Sequence, residues 1–301
     1  MTNKVIVLGS LNIDTTMHVG RLPLPGETLK MSDLSTSGGG KGANQAISAA
    51  RSGASTSFIG SVGNDFQGQQ MKEILKNEGI NIENIVESTE GTGQAFILLQ
   101  ESGENSILIY GGANQTIDEE SLTQATPMID DAQFIIAQFE TPLEITQKAF
   151  ELAKKSGTKT ILNPAPAQAI DSELMQTVDL IIPNETEAEI LTGIKVVDEE
   201  SCLKASEELI GKGAKNVIIT LGSKGAFYYL ESKEYGLIPA FKVNAVDTTA
   251  AGDTFIGALC SQLELDFSNI KDAIKYASKA SSIAVQRFGA IPSIPTSDEI
   301  K

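Results

Sequence analysis

The chain has 301 residues, 41% hydrophobic and 21% charged, with a formal net charge of −16, a composition that suits a globular protein with a sizeable core. So acidic a chain repels nucleic acid, and its two cysteines (Cys202, Cys260) and single histidine (His18) argue against a disulfide framework, a multi-histidine metal site and a His-based triad. No apolar run approaches the roughly 20 residues of a membrane span, no leader pattern precedes the first strand, and the cysteine usage suits a reducing cytoplasm.

Strands are predicted at 5–8, 56–62, 134–137, 160–162, 180–182 and 217–221. Helices are predicted at 43–51, 69–77, 143–155, 201–212, 254–263 and 270–287. Short, continuous apolar strands alternating with helices indicate a mostly parallel sheet covered on both faces. The expected fold is α/β, a three-layer αβα Rossmann-like sandwich, with 1–301 as a single domain. Two insertions break the rhythm, at about 13–36 and 92–110, with alternating patterns and Gly-Pro turns. Residues 96–99 and 107–110 read as a hairpin. A small β-sheet lid is expected from these insertions, able to cover a site or to pair with a second subunit. His18 is expected on a strand surface.

Four motifs carry chemistry. Asn12-Ile13-Asp14 follows the first strand, and residues two apart in an extended segment face one side. Asn12 and Asp14 can therefore grip adjacent hydroxyls, or simply belong to a turn. The run Gly38-Gly39-Gly40-Lys41-Gly42-Ala43-Asn44 is not a Walker A loop, because Gly42 stands where Ser or Thr must follow the lysine. Gly38, Gly40 and Ala43 fit a dinucleotide pattern, but no buried strand precedes them. The glycines let backbone approach a ligand, with Lys41 and Asn44 offering donors at a helix start; a plain loop-to-helix entry is the alternative.

Asn184-Glu185-Thr186-Glu187 either caps a helix through Asn184 or sets Asn184 and Glu187 around a hydrated Mg²⁺. In Asp247-Thr248-Thr249-Ala250-Ala251-Gly252-Asp253, small residues open a helix. The amides of Ala251, Gly252 and Asp253 would then form an anion site backed by the helix dipole. Asp253 at its rim is an N-cap or a base for a hydroxyl.

These motifs, taken in order with Val62-Gly63-Asn64-Asp65 and Gly68, Asn163-Pro164-Ala165-Pro166 and Thr220-Leu221-Gly222-Ser223-Lys224-Gly225, resemble the ribokinase-like family of sugar and nucleoside kinases over essentially the whole chain. The resemblance is strongest to its ribose-phosphorylating members. It implies ATP and D-ribose as substrates, with Asn12, Asp14, Gly40, Lys41, Asn44 and Glu140 holding the sugar. Asp253 would be the proton acceptor beside an anion hole from Ala251 and Gly252. Asn184, Thr220, Gly222, Ser223, Gly225, Gly252 and Ser278 would line the ATP site, with Glu187 holding Mg²⁺ through water. Asp247, Thr249, Ala284, Arg287, Gly289 and Ser293 would surround an activating K⁺, partly through carbonyls. The resemblance also implies a cytoplasmic homodimer joined through the lids. Ser278 departs from the histidine that some members place against adenine. Related kinases acting on deoxyribose, fructose, a keto-deoxy acid or a nucleoside share most of these motifs.

Overall fold

The computed structural model describes residues 2–301. Its strands are β1 (Lys4–Leu8), β2 (Asn12–Val19), β3 (Asp33–Gly39), β4 (Ser55–Gly63), β5 (Asn81–Ser88), β6 (Gly93–Gln100), β7 (Asn105–Tyr110), β8 (Phe134–Ala137), β9 (Lys159–Leu162), β10 (Leu180–Ile181), β11 (Asn216–Thr220), β12 (Ala226–Tyr229) and β13 (Tyr235–Ile238). Nine form one sheet in the order β13-β12-β11-β10-β9-β8-β1-β4-β5. All pairings from β11 to β5 are parallel; β12 and β13 add antiparallel strands at one edge.

Alternation along the strands divides the core. Val5 and Val7 of β1 join one buried cluster, under the helices Lys41–Arg51, Ala251–Gln262 and Ile270–Ala284. Ile6 and Leu8 join the other, under Glu119–Asp130, Leu143–Ser156 and Glu199–Gly211. Successive side chains of a strand point to opposite faces, so an all-apolar strand needs cover on both. The expected αβα sandwich is the fold. Among the described residues no helix is long and apolar enough to cross a membrane.

The helices Lys41–Arg51 and Ala251–Gln262 lie close together, and this places the site. A Cβ at Gly257 would stand 2.3 Å from the Gln45 carbonyl oxygen and 2.6 Å from Ser48 Cβ. Only a glycine permits that approach, and it carries Asn44 and Gln45 to Asp253.

The second sheet runs β3-β2-β6-β7. It comes from the two insertions, with wider bounds than expected: β2 begins at Asn12, opposite both Gly39 and Gly93. The hairpin forms as read, with Phe96 opposite Leu108 and Ile97 opposite Ile107. Leu34, Ile107, Leu108, Ile109 and Tyr110 are exposed on it, and His18 lies on β2, partly exposed.

Some elements were not anticipated. β5 is a polar edge strand with only Ile85 buried, and the helix Glu119–Asp130 carries Pro127 inside it. The last long helix stops at Ala284, short of the expected 287, because the Val285 carbonyl accepts from the amides of Val246 (2.7 Å) and Asp247 (3.2 Å).

Candidate active site

At the carboxyl ends of the parallel strands, Lys41, Asn163, Asn184, Glu187, Thr220, Thr248 and the segment Ala250–Asp253 line a cavity of about 210 Å³. Three separate motifs therefore converge. β10 and β11 deliver Asn184 and Thr220 side by side, with the Thr220 amide on the Pro183 carbonyl at 3.0 Å. Gly40 is the N-cap of the helix that carries Lys41 and Asn44.

Asp253 sits in the first turn of the helix Ala251–Gln262 and is buried. It is not the N-cap; Ala250 is, at φ 57°. The Asp253 carboxylate accepts from Asn44 Nδ2 at 3.1 Å on Oδ2 and from Gln45 Nε2 at 2.9 Å on Oδ1. The anion loop differs from the expected trio of free amides. The Ala251 amide donates to the Thr248 carbonyl at 3.2 Å, because the left-handed Ala250 closes a tight turn ahead of the helix. Ala251 still lines the cavity, but the amides of Gly252 and Asp253 are the ones without a partner among the described residues. They sit at the positive end of the helix dipole.

The carboxylates are crowded around one cation. Glu140 Oε2 accepts from Ser10 Oγ at 2.5 Å and from the Lys41 amide at 3.2 Å. Burial, and then the charges of Glu140 and Asp253, push Asp14 up to about 6. Burial pulls the Lys41 ammonium down, but Asp253, Glu140 and Glu187 outweigh it and hold it above its ordinary value. Asn12 is buried on β2, its Oδ1 accepting from Asn114 Nδ2 at 2.8 Å.

The capping reading of the Asn184 motif holds. Asn184 caps the helix Glu185–Thr192 in a capping box, its Oδ1 accepting from the Glu187 amide at 2.8 Å. The Glu187 carboxylate accepts from the Asn184 amide and Nδ2, and burial raises it despite those bonds. Gly222 and Ser223 lie in the turn Gly222–Lys224 with Gly225 as its cap, and Ser278 is buried on the helix Ile270–Ala284; none of these four lines the cavity.

The two segments expected to surround a monovalent cation meet. Asp247 Oδ1 accepts from the Thr249 amide (2.9 Å) and hydroxyl (2.6 Å), and Oδ2 from the Gly289 amide at 2.8 Å. Burial pushes Asp247 up, but those donors more than offset it and leave the carboxyl below its usual range. Ser293 Oγ donates to the Ala290 carbonyl at 2.7 Å. The Arg287 side chain instead pairs with Glu299 at 2.5 Å, so only its backbone is available to this loop.

A carboxylate and two amides without partners at a helix start, with a lysine lining the same cavity, are groups able to assist phosphoryl transfer to a hydroxyl. A sequence profile of pfkB family carbohydrate kinases matches residues 2–297. The chain belongs to the pfkB family. A ribokinase of Staphylococcus aureus is 46% identical over 302 residues, covering 100% of this chain and 99% of that protein. A bifunctional ribokinase/ribose-5-phosphate isomerase A of Fructilactobacillus sanfranciscensis is 48% identical over 299 residues; the alignment covers 99% of this chain but only 55% of that relative. The structure of Arabidopsis thaliana ribokinase complexed with ribose and ATP matches with a TM-score of 0.92 at 32% identity, covering 100% of this chain and 98% of that one.

In this pfkB kinase, Ser10, Gln45, Asn114 and Gln138 also join the polar lattice of the site. Gln45 stood in the sequence beside Asn44, at the end of the glycine-rich motif. Ser10, Asn114 and Gln138 lie outside the motifs read there.

Proposed function

We propose that this pfkB kinase transfers the γ-phosphoryl group of ATP to O5 of D-ribose, giving D-ribose 5-phosphate and ADP. The observation that carries the reading is Asp253, held at the cavity by Asn44 and Gln45 next to the Gly252 amide. The 5-hydroxyl gives its proton to Asp253 as its oxygen forms a bond to the γ-phosphorus and the bond to the β,γ-bridging oxygen breaks. The Gly252 and Asp253 amides and Lys41 face the negative charge of the phosphoryl oxygens. Asn12, Asp14, Gly40, Lys41, Asn44 and Glu140 hold the sugar, and Asn184, Thr220, Gly222, Ser223, Gly225 and Ser278 line the ATP side. The ribokinase names of relatives at 46% and 48% identity support ribose as the acceptor.

The donor set fits a divalent ion brought in with the nucleotide. Among the described residues no three His, Cys, Asp or Glu side chains cluster to hold a metal by themselves, while Glu187 faces the cavity and can meet a hydrated Mg²⁺ through its waters. Bound Mg²⁺ neutralises charge on the phosphoryl oxygens. The Asp247 loop fits a weakly hydrated monovalent cation, K⁺, because the Asp247 carboxylate is already taken up by three donors and leaves carbonyl oxygens as ligands. K⁺ would order the loop leading into the Gly252 amide; equal rates with K⁺ and with a bulky organic cation would contradict this. The apolar outer residues of the lid suit a second copy of the chain, giving a cytoplasmic homodimer, and a monomer in light scattering at micromolar concentration would contradict that.

The test of the reaction is product identity. ³¹P NMR of a mixture of enzyme, ATP, Mg²⁺ and ribose should show a phosphomonoester on O5. No phosphoester, or turnover confined to fructose, 2-deoxyribose or a nucleoside, would overturn the assignment.

A further inference from the structure

The hydrogen bonds that hold Asp253 continue beyond it into the core. Gln45 is fully buried. Its Nε2 donates to Asp253 Oδ1 at 2.9 Å and to Asn163 Oδ1 at 3.0 Å. Its Oε1 accepts from Gln138 Nε2 at 2.7 Å. A primary amide has one donating and one accepting end, so a donor on Oε1 decides which end faces Asp253. Turned over, Gln45 would set its oxygen against a carboxylate and an amide oxygen, leaving all three short of donors in a buried place.

The far end of the chain is tightly packed, although Gln138 Oε1 has no hydrogen-bond partner among the described residues. Gln138 is fully buried just beyond β8, and a Cβ on Gly9 would stand 2.3 Å from Gln138 Oε1 and 2.7 Å from Gly42 Cα. Asn163 is fixed in turn, its Nδ2 donating to the Ile182 carbonyl at 3.2 Å. Gln45 and Gln138 are both fully buried and stand behind the cavity lining.

We propose that Gln45 is the positioning residue of the base, and that Gln138 sets the direction of the Gln45 amide. The inference rests on Asp253 being the base. Gln45 takes up Oδ1 with a charge-assisted bond and so leaves Oδ2, which accepts one bond from Asn44, with a second lone pair to receive the hydroxyl proton. A carboxylate held at Oδ1 by Gln45 and at Oδ2 by Asn44 keeps the remaining lone pair of Oδ2 in line with the acceptor, where small misplacements cost rate rather than binding.

A mutant cycle tests this. Gln45→Met keeps the length and removes the amide; with circular dichroism unchanged, kcat with ribose should fall about 10- to 100-fold, the worth of a hydrogen bond to a charged group. KM for ATP and for sugar should stay within about twofold. On an Asp253→Asn background the same change should cost less than about twofold, because the base it positions is gone. Gln138→Glu, which can only accept, should turn the Gln45 amide over and give the same pattern; it carries the test if Gln45→Met fails to fold. An unchanged kcat, a loss confined to KM, or an equal loss on both backgrounds overturns the proposal, the last being the mark of a merely structural role. If the wild-type enzyme acts on another sugar, the ribose reading fails while the same cycle runs with that sugar. If Asp253→Asn keeps the wild-type rate, both fail.

Discussion

The two ends of the central sheet treat buried carboxylates in opposite ways. At the amino ends of the strands, Asp179 is saturated: Lys154 at 2.6 Å, Lys215 at 3.2 Å, and the Thr160 amide at 3.1 Å and hydroxyl at 3.2 Å. Burial alone would push its carboxyl up, but Lys154, the Thr160 amide and Lys215 outweigh burial and hold it below the usual range. At the carboxyl ends, Glu140, Asp253 and Glu187 share Lys41, and Asp14, buried beside Glu140 and Asp253, rises to about 6. A carboxylate with its cations in place stabilises the fold. Carboxylates left short of cations are kept ready for partners that arrive with substrate: sugar hydroxyls, a transferable proton, a hydrated metal.

The sharpest way to break this comparison is to neutralise one carboxylate at each end. Asp253→Asn should fold normally and lose about 10²- to 10⁴-fold in kcat, the worth of a general base, read by steady-state ATP consumption with ribose. Near wild-type turnover would remove Asp253 from the chemistry. Asp14→Ala should lower kcat/KM for ribose by roughly 5- to 150-fold, the cost of leaving a buried polar partner unsatisfied, with the KM for ATP nearly unchanged. Equal loss on the nucleotide side would move Asp14 out of the sugar site.

The pH dependence sharpens the same contrast. Asp14 binds its proton in the folded protein up to about pH 6 rather than 3.8. The stability this proton adds is full below pH 3.8 and is lost as pH rises through 6. Sugar binding runs the other way, since hydroxyls donate to the ionised form. With Glu140 and Asp253 as its charged neighbours, the KM for ribose should rise about tenfold at one pH unit below that pKa, and the rise should vanish in Asp14→Asn. A flat KM between pH 5 and 7 would contradict it. The smallest effect belongs to Asp179→Asn: kcat within about twofold, and a melting temperature a few degrees lower, for a loss of about 1–2 kcal/mol discounted because both lysines are partly exposed.

Much of this was legible in the sequence. Continuous apolar strands such as 5–8 and 134–137 announced a parallel sheet with two covers, and Gly-Gly-Lys-Gly-Ala-Asn and Asp247–Asp253 announced the site through their helix starts. The rest depended on tertiary placement. β5 reads as polar because it is an edge strand. The occupied Ala251 amide depends on the φ of Ala250. Gln138 joins the site only because β8 lies beside β1, and Asp179 finds Lys154 and Lys215 from two different elements. A single residue's chemistry does not reveal such pairings.

The central claim is that carboxylates left short of cations wait for sugar hydroxyls, and one ratio tests it: kcat/KM for ribose over that for 2-deoxyribose, measured on the wild-type enzyme with saturating ATP and Mg²⁺. Removing the 2-hydroxyl leaves at least one buried polar group without its partner, so the ratio should lie at roughly 5 to 150. A ratio of one, with both sugars phosphorylated, would mean that Asn12, Asp14 and Lys41 do not read the diol, and would contradict the account.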